Sequence, residues 1–263
     1  MDMKITSSVQ DRYAEGAQTR QAELCCPVNY NAQYLKIIPS EVIERDYGCG
    51  DPSQYVRPGD VVLDLGSGGG KICFIASQVV GKEGKVIGVD MTDDMLDLAR
   101  RNAPIVADRI GYSNIEFKKG NIEDLDTLGI ENDLDIVVSN CVVNLCKDKE
   151  KVLKNVFNLL KTGGEFYFSD VYSSQRIPSE LAQDPVLWGE CLSGALYWND
   201  FLNIAKKCGF TDPRLVKSNL ITVKNKELEE KVGDIKFYSA TYRLFKLPGI
   251  LESDCEDYGQ AVI

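Results

Sequence analysis

The chain has 263 residues, 44% hydrophobic and 27% charged, so it reads as globular, either one large domain or one domain with an appendage. Its 40 acids against 30 bases give a net charge of −10. That argues against nucleic acid or an anionic membrane surface as a partner, because both are recognised by clustered Lys and Arg. There is no histidine, which removes imidazole bases, Ser-His and Cys-His nucleophile pairs, and His-ligated zinc.

Residues 1–58 form a preface. Its start, MDMKITSSVQDRYAEG, has no apolar run that would serve as a leader. No stretch of the chain approaches the ~20 apolar residues that span a bilayer. The nine cysteines are odd in number and scattered, which disfavours a complete disulfide framework. A soluble cytoplasmic protein with mostly reduced thiols is expected. Within the preface, Ser8–Gln18 suits a polar helix, and Cys25-Cys26-Pro27 is a break. Asn31–Glu44 has helical apolar spacing, and DYGCGD (46–51) is a turn.

From Val61 the pattern becomes strand and helix in alternation. VVLDL is a short apolar strand, GSGGG a loop, and KICFIASQVV a helix ending at Gly81. KVIGVD (85–90) is the second strand, and Thr92 is the expected N-cap of a helix over Asp93–Arg101. Strands follow at 115–120 and 133–140, then a helix over Asp148–Lys161 stopped by Gly163-Gly164, then a strand at 165–172. This order predicts βαβ units and a parallel sheet covered on both faces. Residues 173–199 look irregular. Trp198–Cys208 reads as a helix capped by Gly209, LITV (220–223) and KFYSATYRLF (236–245) as strands, and 246–263 have little periodicity. The acidic runs at 227–231 and 252–257 read as solvated faces. The division expected is 1–58 as a cysteine-containing extension, 59–172 as a Rossmann-like cofactor domain, and 173–263 as a C-terminal region.

The glycine loop Asp64-Leu-Gly66-Ser67-Gly68-Gly-Gly70 joins a strand to a helix, where glycine permits positive φ and close ligand approach. It must be sorted between a dinucleotide and S-adenosylmethionine. Asp64 lies two positions before the first glycine, where it would repel a pyrophosphate and attract a methionine ammonium. Asp90 ends the second strand and suits ribose hydroxyls of either ligand. The bland alternative, a tight turn with no ligand, leaves Asp90 and the next strand ends without a role. In such sheets ligands bind beyond the carboxyl ends of the strands. Asn121 and Ile122 are placed for the adenine, and Asn140 and Cys141 for the reactive sulfonium. These features give a likeness to the class I S-adenosylmethionine-dependent methyltransferases.

Cys49 (YGCGDP), Cys141 (SNCVVNL) and Cys191 (WGECLSGAL) sit in irregular or strand-end contexts, whereas Cys73 and Cys208 sit on helices and suit the role of small hydrophobes. Three thiolates meeting near the methyl group would favour a soft acceptor. Without an acid–base pair, the acceptor should bring its own lone pair. Trp188 and Trp198 flank Cys191 and read as packing residues.

On these segments, together with GDVVLDLGSGGGKICFIASQVVG, RDYGCG and FYSATYRLFK followed by CEDYGQ, the chain resembles the arsenite methyltransferases from about Cys25 onward. The resemblance implies a class I methyltransferase fold, a Rossmann-like doubly wound α/β sheet, with an N-terminal helical extension and a small C-terminal α+β region. It implies that Cys141 and Cys191 hold trivalent arsenic and that Cys49 joins them. An N-terminal cysteine, here Cys26, would pair with Cys49 during the cycle. Cofactor contacts fall on Tyr47, Asp64, Gly66, Ser67, Gly68, Asp90, Met91, Asn121, Ile122 and Asn140. The implied reaction carries the methyl group of S-adenosylmethionine to thiolate-held arsenic in a monomeric enzyme. Glutathione or thioredoxin would restore the cysteines. Two departures stand out. Cys146 is an extra thiol, read as a surface spectator. Family members continue beyond the equivalent of Ile263, so a truncated chain is expected, with later steps of the cycle affected. The competing readings are methylation of a small thiol or a quinone-like ring, and a non-catalytic thiol metal-binding protein. Against the last, zinc sites favour closely spaced pairs such as C-x2-C, whereas Cys49, Cys141 and Cys191 lie 92 and 50 residues apart and the one tight pair, Cys25-Cys26, is adjacent.

Overall fold

A computed structural model describes residues 30–45, 51, 53–184, 186–187, 192–222 and 226–250. The expected helix over Ser8–Gln18, the Cys25-Cys26-Pro27 break and most of the 46–51 turn lie outside these residues.

Asn31–Glu44 forms two short helices rather than one: α1 (Ala32–Leu35) and α2 (Ser40–Glu44). Pro39 separates them, since its ring disfavours a helical residue before it and it has no N–H to donate. Five parallel strands then follow: β1 (Val61–Leu65), β2 (Lys85–Asp90), β3 (Ile115–Lys119), β4 (Leu134–Asn140) and β5 (Leu160–Ser173). The helices α3 (Lys71–Val80), α4 (Asp93–Ile110) and α5 (Lys149–Leu159) alternate with them. A two-residue strand β6 (Leu196–Tyr197), helix α6 (Trp198–Lys207), strand β7 (Arg214–Ile221), helix α7 (Lys226–Val232) and strand β8 (Phe237–Phe245) complete the order.

The sheet runs β3-β2-β1-β4-β5-β8-β7, with β8 antiparallel to both β5 and β7. β7 and β8 therefore continue the main sheet. The order reverses between β1 and β4, which opens a crevice at their carboxyl ends. Alternating side chains cover the two faces. Leu63, Leu65, Ile87, Val89 and Val137 pack with α5 and α6, while Val62, Val86, Ile136 and Val138 pack with α2, α3 and α4. A third cluster, around Val171, Leu192 and Phe237, includes Cys141.

Several boundaries differ from the sequence expectation. α4 runs nine residues past Arg101 and contains Pro104. Burial of Leu98, Ala99, Asn102 and Val106 on its inner face outweighs the lost backbone hydrogen bond. Thr92 precedes α4 but makes no side-chain cap. α5 ends at Leu159, and the glycines at 163–164 lie inside β5. β7 begins at Arg214, well before LITV; as a mostly exposed strand it has no apolar alternation to read. The acidic run at 227–231 is helical.

Candidate functional site

The crevice holds a cleft of about 1100 Å³ lined by the glycine loop and the ends of β2, β3 and β4. All nine described residues expected to contact a cofactor line it: Asp64, Gly66, Ser67, Gly68, Asp90, Met91, Asn121, Ile122 and Asn140. Tyr47 lies outside the described residues.

The loop is held from behind. Gly66 and Ser67 donate their N–H groups to the Val89 carbonyl at 2.8 and 3.0 Å, and Gly70 donates to the Ser67 carbonyl at 2.9 Å. Gly68 donates to Asp90 Oδ2 at 2.9 Å, and the other Asp90 oxygen accepts from Thr92 N–H at 2.8 Å. Burial raises the Asp90 carboxyl above its ordinary range, while the N–H groups of Thr92 and Gly68 pull it back down. Gly66 has φ +68, and a Cβ there would come within 2.5 Å of Val142, so both backbone shape and space demand glycine.

Four loop amides are therefore already engaged inside the protein. A pyrophosphate cradle needs such amides to be free, which disfavours a dinucleotide. Asp64, buried at the end of β1, puts a carboxylate in the cleft, as a methionine ammonium requires. Cys73 supports it: its thiol donates to Asp64 Oδ2 at 3.3 Å, and burial with this carboxylate holds the thiol protonated. The Ser67 hydroxyl is buried, lines the cleft, and has no hydrogen-bond partner among the described residues. A polar ligand in the cleft would satisfy it. The donor set thus fits S-adenosylmethionine.

Cys141 ends β4 as expected. It is the one described non-glycine residue with positive φ (56°), and its N–H donates to the Ser169 carbonyl at 2.8 Å. Cys141 is disulfide-bonded, whereas Cys73, Cys146 and Cys208 are free and buried. It packs with Leu192, the residue after Cys191. The two segments also interlock at Asn144. Its N–H donates to Asp170 Oδ2 at 3.0 Å, its amide side chain donates to the Val171 carbonyl, and its own carbonyl lies against Gly194, where any Cβ would collide. Cys26, Cys49 and Cys191 lie outside the described residues. Among the described residues no group of three His, Cys, Asp or Glu is arranged to hold a metal ion.

Cys146 corrects the sequence expectation. It is not a surface thiol: it is 8% exposed, lines the cleft, and burial pushes its pKa well above the usual thiol range. Trp198 packs with Tyr172, Tyr238 and Tyr242, as expected of a packing residue. Sequence reasoning missed Arg45, Thr92, Met95 and Lys147, which also line the cleft. Thr92 was accessible in principle, because it sits two residues after the acid that ends β2. Arg45 carried no such signal, being far upstream of the loop.

Comparison with known proteins adds to this geometry. A family described as "Methyltransferase domain" matches residues 57–209. An arsenite methyltransferase of Aquipseudomonas alcaligenes is 50% identical over 97% of this chain and 76% of its own length. That of Rattus norvegicus is 45% identical over 94% of this chain and 70% of its own length. The crystal structure of CrArsM, an arsenic(III) S-adenosylmethionine methyltransferase from Chlamydomonas reinhardtii, superposes with a TM-score of 0.81 at 46% identity. It covers 86% of this chain and 77% of its own.

Proposed function

The chain belongs to the arsenite methyltransferases, and from that premise we propose that the thiolates of Cys49, Cys141 and Cys191 hold the arsenic above the cleft. The enzyme carries a methyl group from S-adenosylmethionine to trivalent arsenic.

The donor, when bound, supplies an electrophilic methyl group. Asp90 would take the ribose hydroxyls, Asp64 the ammonium, and Ser67 a polar group of the amino-acid end. Asn121 and Ile122 would flank the adenine. Arsenic(III) on thiolates keeps a lone pair, so the protein needs no general base, in agreement with a chain that has no histidine. The work left to the protein is positioning. The observation that carries this reading is Cys141: it stands at the end of β4 beside the cleft residues Asn140 and Val142, in one buried cluster with Leu192.

A disulfide-bonded Cys141 has no thiolate to offer arsenic. Loading then requires two external thiols, oxidised to a disulfide as the protein bond is reduced. Glutathione or thioredoxin would serve, and Cys26 with Cys49 would form the resolving pair. In the three-part division, 59–172 binds the donor, while the cysteines of 1–58 and 173–263 complete the arsenic site. The enzyme would act as a cytoplasmic monomer; no described helix is long and apolar enough to cross a membrane.

The test is single-turnover methyl transfer from labelled S-adenosylmethionine to arsenite with glutathione. Wild type should transfer, and Cys141→Ser and Cys191→Ser should lose transfer while still binding the donor. Full transfer by either variant would remove its thiolate from the mechanism.

A further inference from the structure

Two cationic side chains line the cleft among the described residues, Arg45 and Lys147. They belong to opposite ends of it. Lys147 follows Cys146 in the segment whose next residue, Asp148, donates its N–H to Glu123 Oε1 at 2.7 Å. Glu123 adjoins Asn121 and Ile122, so Lys147 stands on the adenine side. Arg45 closes α2, whose Val42 packs in the same cluster as Ile72 and Leu98. Ile72 is in the first turn of α3, and Leu98 lies over Gly69, with 2.8 Å between its Cδ2 and a Cβ placed there. Arg45 therefore lines the cleft from the α2 side, where Leu98 packs over Gly69 of the glycine loop.

A methionine head is a zwitterion. Asp64 answers its ammonium, but the carboxylate finds the N–H groups of Gly66, Ser67, Gly68 and Gly70 already engaged. Among the described residues Arg45 is the cation on that side of the cleft. Glu41 lies 3.8 Å from Arg45 Nη1, but its closer contacts are at 2.8 Å to Arg101 Nη2 and 2.8 Å to Asn102 Nδ2. Its carboxylate fixes α2 to α4, and so sets where the end of α2 meets the cleft.

We propose that Arg45 binds the carboxylate of the methyl donor. This rests on S-adenosylmethionine as the occupant of the cleft.

Calorimetric affinities for S-adenosylmethionine and for decarboxylated S-adenosylmethionine test it, because the two ligands differ only in the group concerned. Wild type should prefer the carboxylated ligand. Arg45→Gln should weaken that ligand roughly 10- to 100-fold, the range of a charge-assisted hydrogen bond, and leave the decarboxylated one within about two-fold. Arg45→Lys should keep part of the preference. Equal weakening of both ligands would make Arg45 a packing residue and overturn the proposal, as would unchanged binding of both. Wild type that binds neither would overturn the cofactor reading, and this proposal with it.

Discussion

Asp170 accepts the backbone N–H of Asn144 at 3.0 Å, and this bond fastens the end of β5 to the loop that leaves Cys141. The second Asp170 oxygen accepts the Val171 N–H at 2.8 Å, so the carboxylate is fully committed to backbone. The Asn144 carbonyl in turn abuts Gly194, three residues beyond Cys191. The spacing of the segments that follow Cys141 and Cys191 in the chain thus depends on a buried acid and a missing β-carbon.

Gly194→Ala should push these segments apart. Its added methyl meets backbone, which yields less readily than a side chain, and such overpacking costs about 1–3 kcal/mol. Arsenite methylation should fall at least ~10-fold, since small misplacements of reacting groups are expensive, while calorimetric affinity for S-adenosylmethionine stays within about two-fold. Equal loss of both would mean that the whole crevice had collapsed.

The buried Asp170 carboxyl is pushed up to about 6, chiefly by loss of solvation, against the N–H groups of Val171 and Asn144. Its folded value lies above the unfolded value of roughly 4. The fold therefore disfavours the ionised form, and the contribution to stability is complete below pH ~4 and lost as pH rises through about 6. Relative to Asp170→Asn, wild type should lose on the order of 2 kcal/mol between pH 4 and 8. Urea denaturation across that window measures the difference, whatever constant offset the substitution brings. A flat difference would contradict the assignment.

Asp90→Ala should release Gly68 and Thr92 as well as removing the proposed ribose acceptor. Affinity for S-adenosylhomocysteine should drop roughly 10- to 100-fold, as expected for lost bonds to a charged group. The melting temperature should fall too, because the loop loses its anchor.

Cys146 should be chemically silent in the folded protein. Its thiol is buried and held protonated, and the thiolate is the reactive species. Cys146→Ala should retain methylation within about two-fold, and mass spectrometry after native alkylation at pH 8 should find Cys146 unmodified until urea is added. Rapid native labelling would show that the cleft exposes it.

Local features of the sequence were enough to bring the lining of one cleft together. Asp64, Gly66, Ser67 and Gly68 lie at one strand–loop–helix junction and Asp90 at the next, where the elements that shape the cleft are written in neighbouring residues. Cys141 was legible because a parallel strand ends there. What escaped notice depends on distant contacts. Arg45 reaches the cleft through α2 packing, and Gly194 matters because of Asn144, fifty residues earlier. The edge strand β7 buries too little to leave a pattern, and α4 continues past Pro104 because tertiary burial pays for it. The burial of Cys146 was likewise set by packing that its neighbours in sequence do not encode.

The left-handed backbone at Cys141 sets stability against chemistry. A β-carbon in that region costs on the order of 1 kcal/mol, which glycine would not incur. Glycine at 141 would relieve that strain, but it would also remove the disulfide and the buried sulfur from the cluster of Val171 and Leu192. A hardened variant of this enzyme must therefore take its gains elsewhere in the fold, where no sulfur is lost with the strain.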